Sequence, residues 1–305
     1  PLMSIFKQQN KNAIIVDAGS YQTRVGMATD PCFAAYLPNE SVVDGVIEKP
    51  DELIKQILSV KQIEKLKEDK DIPLVFTFSK SCPHKKLYEL AEEAFEHFET
   101  LSFLPQEQAS VFYSNRPQGV YVDVGYNSTR VFGTYEGTFT DTRKISWNLQ
   151  KIDSQVASFL QIQTPAELER QKMKQFMVLE NPQFQNLIQK TSALTDSPIP
   201  ADYRMLMYEP PQILIKTVQD VCQELMQFTK EFDVVVVGNG SLVPGLCNRI
   251  QVESLGQVCA GRDRGQHQFV GAGTWVGSWI ADTCYSYSKE DLEDYGESLF
   301  EKKVW

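Results

Sequence analysis

Short β-branched runs alternate along the chain with longer stretches whose apolar residues recur every three or four positions. Ile15-Val16-Asp17-Ala18 meets the polar turn Gly19-Ser20-Tyr21, and a second β-rich run, Gln22 to Gly26, follows. That pattern predicts a β-hairpin with Asp17 at the end of its first strand. Tyr121-Val122-Asp123-Val124-Gly125-Tyr126-Asn127-Ser128-Thr129-Arg130-Val131 repeats it. Val, Asp, Gly, Thr, Arg and Val coincide in the two copies at one constant offset. Val234 to Val237 reads as a buried strand. Gly238-Asn239-Gly240-Ser241 turns out of it, and Leu242 to Leu246 leads into a helix.

Helical periodicity fills the intervals. Asp51 is expected to cap a helix carrying Leu53, Ile54, Ile57, Leu58 and Val60. Leu74 to Phe78 reads as a strand, and Leu87, Leu90, Ala91, Ala94, Phe95 and Phe98 mark the helix after it. Gln106 to Tyr113 predicts a short helix before the second hairpin. Thr164-Pro165-Ala166-Glu167 is a capping box with Pro at N1, opening a helix to about Leu179. Glu180 to Pro211 is the least regular stretch. Gln212 to Lys230 reads as an amphipathic helix with Ile213, Val218, Val221, Cys222 and Leu225. Phe269 to Ile280 is apolar with glycines at 271, 273 and 277, and predicts a helix packed closely on a neighbour.

Length adds a domain count: 305 residues suggest about two domains. Charge removes a function class. Thirty basic against 40 acidic residues, net −10, speak against a broad nucleic-acid-binding face. No apolar run approaches the ~20 residues that span a bilayer, so no membrane partner is expected. Cys32, Cys82, Cys222, Cys247, Cys259 and Cys284 are scattered without a CxxC, and the histidines are His84, His97 and His267. Neither a structural zinc site nor a Ser/His or Cys/His triad is expected from that set. His84 reads as a turn residue, and Arg262 to His267 as a solvated loop. Tyr285, Tyr287 and Tyr295 are expected to form a partner surface.

The duplicated hairpin carries the candidate chemistry. Backbone N–H groups of two Asp-x-Gly turns can clamp one polyphosphate. The carboxylates of Asp17 and Asp123 would then face a hydrated divalent cation. Gly238 to Leu246 can bring backbone close to a base or a phosphate, but it fits neither a P-loop nor a Rossmann fingerprint.

The order of hairpin, strand–helix, hairpin and Gly-rich strand–turn–helix resembles the actin and sugar-kinase ATPase fold, and in detail actin and the actin-related proteins. Asp17-x-Gly19-Ser20-Tyr21 resembles the family's first phosphate loop and Asp123-x-Gly125 the second. Gly238 to Gly245, with Pro244-Gly245, resembles the adenosine loop. Gly271 to Ile280, then Ser288-Lys289-Glu290-Asp291-Leu292 and Gly296, resembles the actin C-terminal helix and tail. The resemblance implies an α/β fold of two duplicated lobes, each a mixed sheet flanked by helices. The first lobe would take residues 3–137 and 286–305, with the family's second subdomain nearly absent around 31–50. The second lobe would take 138–285, with a reduced fourth subdomain around 162–211.

Carried over residue by residue, the resemblance places ATP or ADP with Mg against Asp17, Gly19, Ser20, Tyr21, Arg24, Asp123, Gly125, Tyr126, Lys172, Gly238, Asn239, Gly240 and Ser241. Asp17 and Asp123 would hold the metal, and Gln108, or alternatively Glu107, would position the attacking water. The site departs from the family. Arg24 stands in place of a phosphate-contacting lysine, Tyr21 of a Gly, and Tyr126 of an acidic residue. Asn239 stands in place of the second Gly of the adenosine turn, and Lys172-Met173 replaces a Lys-Glu pair near the ribose. These changes imply a degenerate site, with nucleotide bound or absent and no efficient hydrolysis. The trimmed subdomains make filament contacts in actin, so self-polymerisation is not expected. The implied role is a structural subunit that partners actin or other actin-related proteins and a helix docked in a cleft near the C-terminal region. The expected setting is a nuclear chromatin-remodelling complex, or alternatively the pointed end of a dynactin-type filament in the cytoplasm. A weak ATPase or kinase of the same superfamily is the enzymatic alternative.

Overall fold

The computed structural model describes residues 12–30, 32–38, 40–43, 45–60, 72–147, 212–243, 245–278 and 286–303, with isolated positions between them. The chain divides into two compact units, Pro1–Asn115 with Gln266–Trp305, and Arg116–Gly265.

Strands of the first unit are β1 (Ile14–Ala18), β2 (Gln22–Met27), β3 (Ala35–Pro38), the small pair β4 (Val42–Val43) and β5 (Val46–Ile47), β6 (Leu74–Phe78) and β7 (Leu101–Pro105). The second unit holds β8 (Gly119–Val124), β9 (Thr129–Tyr135), β10 (Thr138–Phe139), β11 (Arg143–Ile145), β12 (Asp233–Val237) and β13 (Gln257–Cys259). β14 (Ser286–Tyr287) returns to the first unit. The helices are α1 (Pro50–Leu58), α2 (His84–Phe95), α3 (Gln106–Ser114), α4 (Gln212–Leu225), α5 (Leu246–Glu253), α6 (His267–Val276), α7 (Lys289–Tyr295) and α8 (Ser298–Lys303).

Both units are α/β, and their sheets follow one path. The first runs β3-β2-β1-β6-β7, extended by β14; the second runs β10-β9-β8-β12-β13, with β11 also on β9. In each, the hairpin and the strand outside it are antiparallel, whereas the two strands on the other side are parallel. The sequence repeat is therefore a repeat of topology.

Period-two alternation decides what each hairpin buries. Ile14, Val16 and Ala18 join a core with α1 and α2 side chains, while Ile15 faces Ala109 of α3 and Phe269 of α6. Asp17 shares the face of Ile15. In the second unit Val120, Val122 and Val124 pack with Val218, Val221 and Leu225 of α4. Asp123 shares the opposite face with Tyr121, whose ring stacks on Phe132 at 5.0 Å.

Several expectations change. The second hairpin belongs to the second unit, so the division falls at Asn115/Arg116 and Gly265/Gln266 rather than at 137/138 and 285/286. The cause is strand pairing, because β8 lies beside β12 in one sheet. Asp51 is not the cap of α1. Pro50 starts the helix, and Asp51 sits in its first turn, bonded to Lys55. Tyr287 is core at 2% exposure, against Phe103 and Phe300, whereas Tyr295 is exposed. Leu168 N–H donates to the Thr164 carbonyl, the first helical bond after Thr164; the rest of the helix expected to run to about Leu179, like Glu180 to Pro211 and Tyr285, lies outside the described residues. At the C-terminus Ser288 and Asp291 cap α7 reciprocally.

Candidate functional site

Each hairpin folds its aspartate onto an arginine of its own second strand. β1 closes on β2 with Ala18 opposite Thr23, which sets Asp17 opposite Arg24. Arg24 Nη1 donates to Asp17 Oδ2 at 2.6 Å. The second hairpin closes with Val124 opposite Thr129, which sets Asp123 opposite Arg130. Arg130 Nη2 donates to Asp123 Oδ2 at 2.5 Å. The first pair is buried, with side-chain exposures of 8% and 0%, and the second part-buried, at 13% and 4%. Thr77 of β6 adds a hydroxyl hydrogen bond to Asp17 Oδ1 at 3.0 Å. Val237 stands in that register position of the second unit.

The turn amides are partly used within the chain. Gly19 N–H donates to the Asp17 carbonyl at 3.2 Å, and Gly125 N–H to the Ser128 carbonyl at 3.1 Å. Ser20 Oγ accepts the Gly45 N–H at 3.0 Å, from the turn between β4 and β5. Tyr21 is exposed, and the Tyr126 carbonyl accepts from Gln150 N–H at 3.3 Å. A carboxylate already bridged to a guanidinium is a poor ligand for a hydrated divalent cation. As folded, the donor set of either hairpin does not fit Mg. Among the described residues no group of three or more His, Cys, Asp or Glu side chains gathers into a metal cluster.

The Gly-rich turn meets the second hairpin inside the second unit. Gly238 has φ +89° and ψ 156°, a conformation essentially restricted to glycine. A Cβ there would lie 2.5 Å from the Val124 carbonyl oxygen and 2.6 Å from Asp123 Oδ1. Arg264 holds the turn from the other side. Its carbonyl accepts the Gly238 N–H at 2.9 Å, and its Nε donates to Ser241 Oγ at 3.1 Å. Ser241 Oγ in turn donates to the Gly238 carbonyl at 2.6 Å. Gly240 is buried within the same 3-10 turn. Asn239 places its Oδ1 2.6 Å from the point where a Cβ of Gly265 would be. The stretch expected to be a solvated loop is thus a brace: Arg264 ties the turn, Gly265 receives Asn239, and His267 is buried. Gly238→Ala should cost about 2–3 kcal/mol, from the forbidden backbone region and the contact with Val124. Chemical denaturation would show it, and a loss under about 0.5 kcal/mol would contradict this packing.

Gln108 and Glu107 both sit in the first turn of α3. Glu107 is 2% exposed and Gln108 half-buried. Lys172 lies outside the described residues. Sequence reasoning assigned no role to Arg130, Thr77 or Arg264. The signal for Arg130 was present, since Arg follows Asp by seven residues in both copies. A hairpin closing symmetrically about its turn must set those two positions opposite one another. The other two arrive from a separate strand and a separate loop, and no local pattern announces them. No protein-family model matches the chain, and no curated protein matches it.

Proposed function

We propose that the chain is a non-filamentous, actin-related structural subunit of a multiprotein assembly, with a nucleotide site that has lost its metal chemistry. The observation that carries this reading is the duplicated Asp–Arg pair. The carboxylates the family would use for Mg are neutralised within their own hairpins, at 2.6 and 2.5 Å. Phosphoryl transfer needs charge neutralisation and an oriented water together, and this pairing removes the first. Arg264 orders the Gly-rich turn through the chain's own hydrogen bonds. A fold whose site turns are held by arginines keeps its shape without a ligand, which suits a scaffold.

The proposed setting is a nuclear chromatin-remodelling complex, with actin or another actin-related protein as neighbour. A dynactin-type end-capping role is the second reading. It is favoured by the small extent of residues 32–49, which form only an edge strand and the β4–β5 pair among the described residues. Two measurements on the full chain test the proposal. Phosphate release from Mg-ATP should equal the protein-free rate, and sedimentation should show a monomer under Mg and salt conditions that polymerise actin. Turnover or filaments would sink the scaffold reading. The subunits that co-purify with the tagged chain from nuclear and cytoplasmic extracts then separate the two settings.

A further inference from the structure

A strand at the edge of a sheet offers unpaired N–H and C=O groups to other chains, and folds blunt such edges with short strands, proline or charge. Most edge strands among the described residues are blunted in these ways. β4, β5, β10 and β14 are two residues long, β3 carries Pro38, and β11 brings Arg143 and Lys144. β13 has none of these devices. It closes the sheet of the second unit beyond β12, and Gln257-Val258-Cys259 holds neither charge nor proline. Val252 and Leu255, just before it in the chain, are exposed at 56% and 55%.

A side chain occupies this edge instead. Gln251, in the last turn of α5, accepts the Val258 N–H on Oε1 at 2.7 Å and donates from Nε2 to the Gly256 carbonyl at 3.3 Å. Ser254 Oγ donates to the same carbonyl at 3.0 Å. Bonded to one carboxamide, the two backbone groups face the same side, the one that β12 leaves open. A residue of an adjoining strand would take that same carbonyl and that same N–H, on either side of Gln257. Gln219 Nε2 donates to the Glu253 carbonyl at 2.9 Å, which ties the end of α5 to α4. The carboxamide of Gln251 is thus held as a substitute for one residue of a neighbouring strand.

We infer that Gln251 is an edge guard, whose carboxamide keeps β13 from pairing with the β13 edge of a second copy of this chain. A second copy fits this edge for two reasons. Antiparallel pairing sets the N–H groups of one copy against the carbonyls of the other. An uncharged strand also meets its own copy with no like charges opposed. The guard rests on the second unit alone and not on the proposed assembly.

Sedimentation of the full chain tests this, in about 0.15 M salt to screen the net charge of −10. Gln251→Ala should dimerise about tenfold or more tighter than the unaltered chain, since each copy regains a hydrogen bond across the pairing. Amide exchange locates the contact. In dilute Gln251→Ala the Val258 N–H should exchange about fivefold faster than in the unaltered chain, the worth of one net hydrogen bond. It should slow again as the variant is concentrated. Adding Gln257→Lys should restore the monomer, because an edge lysine opposes pairing. Gln251 and Gln257 are exposed, so an unshifted thermal midpoint shows that each variant folds. A monomeric Gln251→Ala, unchanged exchange at Val258, or a dimer that Gln257→Lys leaves intact would each overturn the guard. None of these outcomes touches ATP turnover, so the scaffold reading stands or falls separately.

Discussion

Arg24→Met is expected to lower the unfolding free energy by about 3–5 kcal/mol, because it strands a carboxylate in the protein interior. Asp17 is fully buried and its partner guanidinium lies 2.6 Å away. Thr77 can still donate one hydrogen bond, but a single hydroxyl does not neutralise a charge. Urea unfolding of the purified chain gives the number. The double variant Asp17→Leu with Arg24→Met should recover most of the loss, since neither charge then remains to be desolvated. Arg130→Met should cost somewhat less, because the second pair is more exposed, at 13% and 4%. A cost near zero at Arg24, or strictly additive losses in the double variant, would mean that the pair does not hold the hairpin. The result bears on function too. Any cation that displaced Arg24 to reach Asp17 would leave the guanidinium buried without its carboxylate.

Gly271→Ala should be nearly as damaging, at about 3 kcal/mol or more, with a fall in the thermal midpoint of roughly 6–12 °C. The reason is close approach between two helices of the first unit. A Cβ on Gly271 of α6 would lie 1.9 Å from the carbonyl oxygen of Ala109 on α3, and 3.1 Å from the Tyr113 nitrogen. Those are backbone atoms, so the helices must separate rather than a side chain rotate. Phe269, Ala272 and Trp275 would lose contact with Ala109, Leu104 and Ile15 in the same core. Thr274→Ala is the control, because Thr274 is exposed on the same helix and should change stability by no more than about 0.5 kcal/mol. Equal effects at the two positions would contradict the α3–α6 packing.

The hairpins show how far local sequence reaches. Alternation of Ile14, Ile15, Val16 and Asp17 states which residues point the same way, and symmetric closure of a short turn states which residues face each other. The Asp–Arg pairing was thus legible at Arg24 and Arg130, although its consequence for the metal was not drawn from spacing alone. Gly271 was legible as a close contact, but its partner Ala109 was not. The cap of α1 was misread because Pro50 at N1 outcompetes Asp51 as the start of the helix. Tyr287 was misread because exposure depends on what packs over a residue, here Phe103 and Phe300, far away in sequence.

By itself the sequence determined the elements and their duplication: two Asp-x-Gly hairpins at one offset, a buried strand before Gly238, and amphipathic helices between. These follow from periodicity and turn chemistry, which act over a few residues. Tertiary structure alone decided that β8 joins β12, which moves the unit boundary to Asn115/Arg116. It alone placed Thr77 on Asp17 and Arg264 on Ser241. Those placements depend on which strands become neighbours across a sheet. Strand pairing is settled by the burial of whole faces, and no short window of sequence carries that sum.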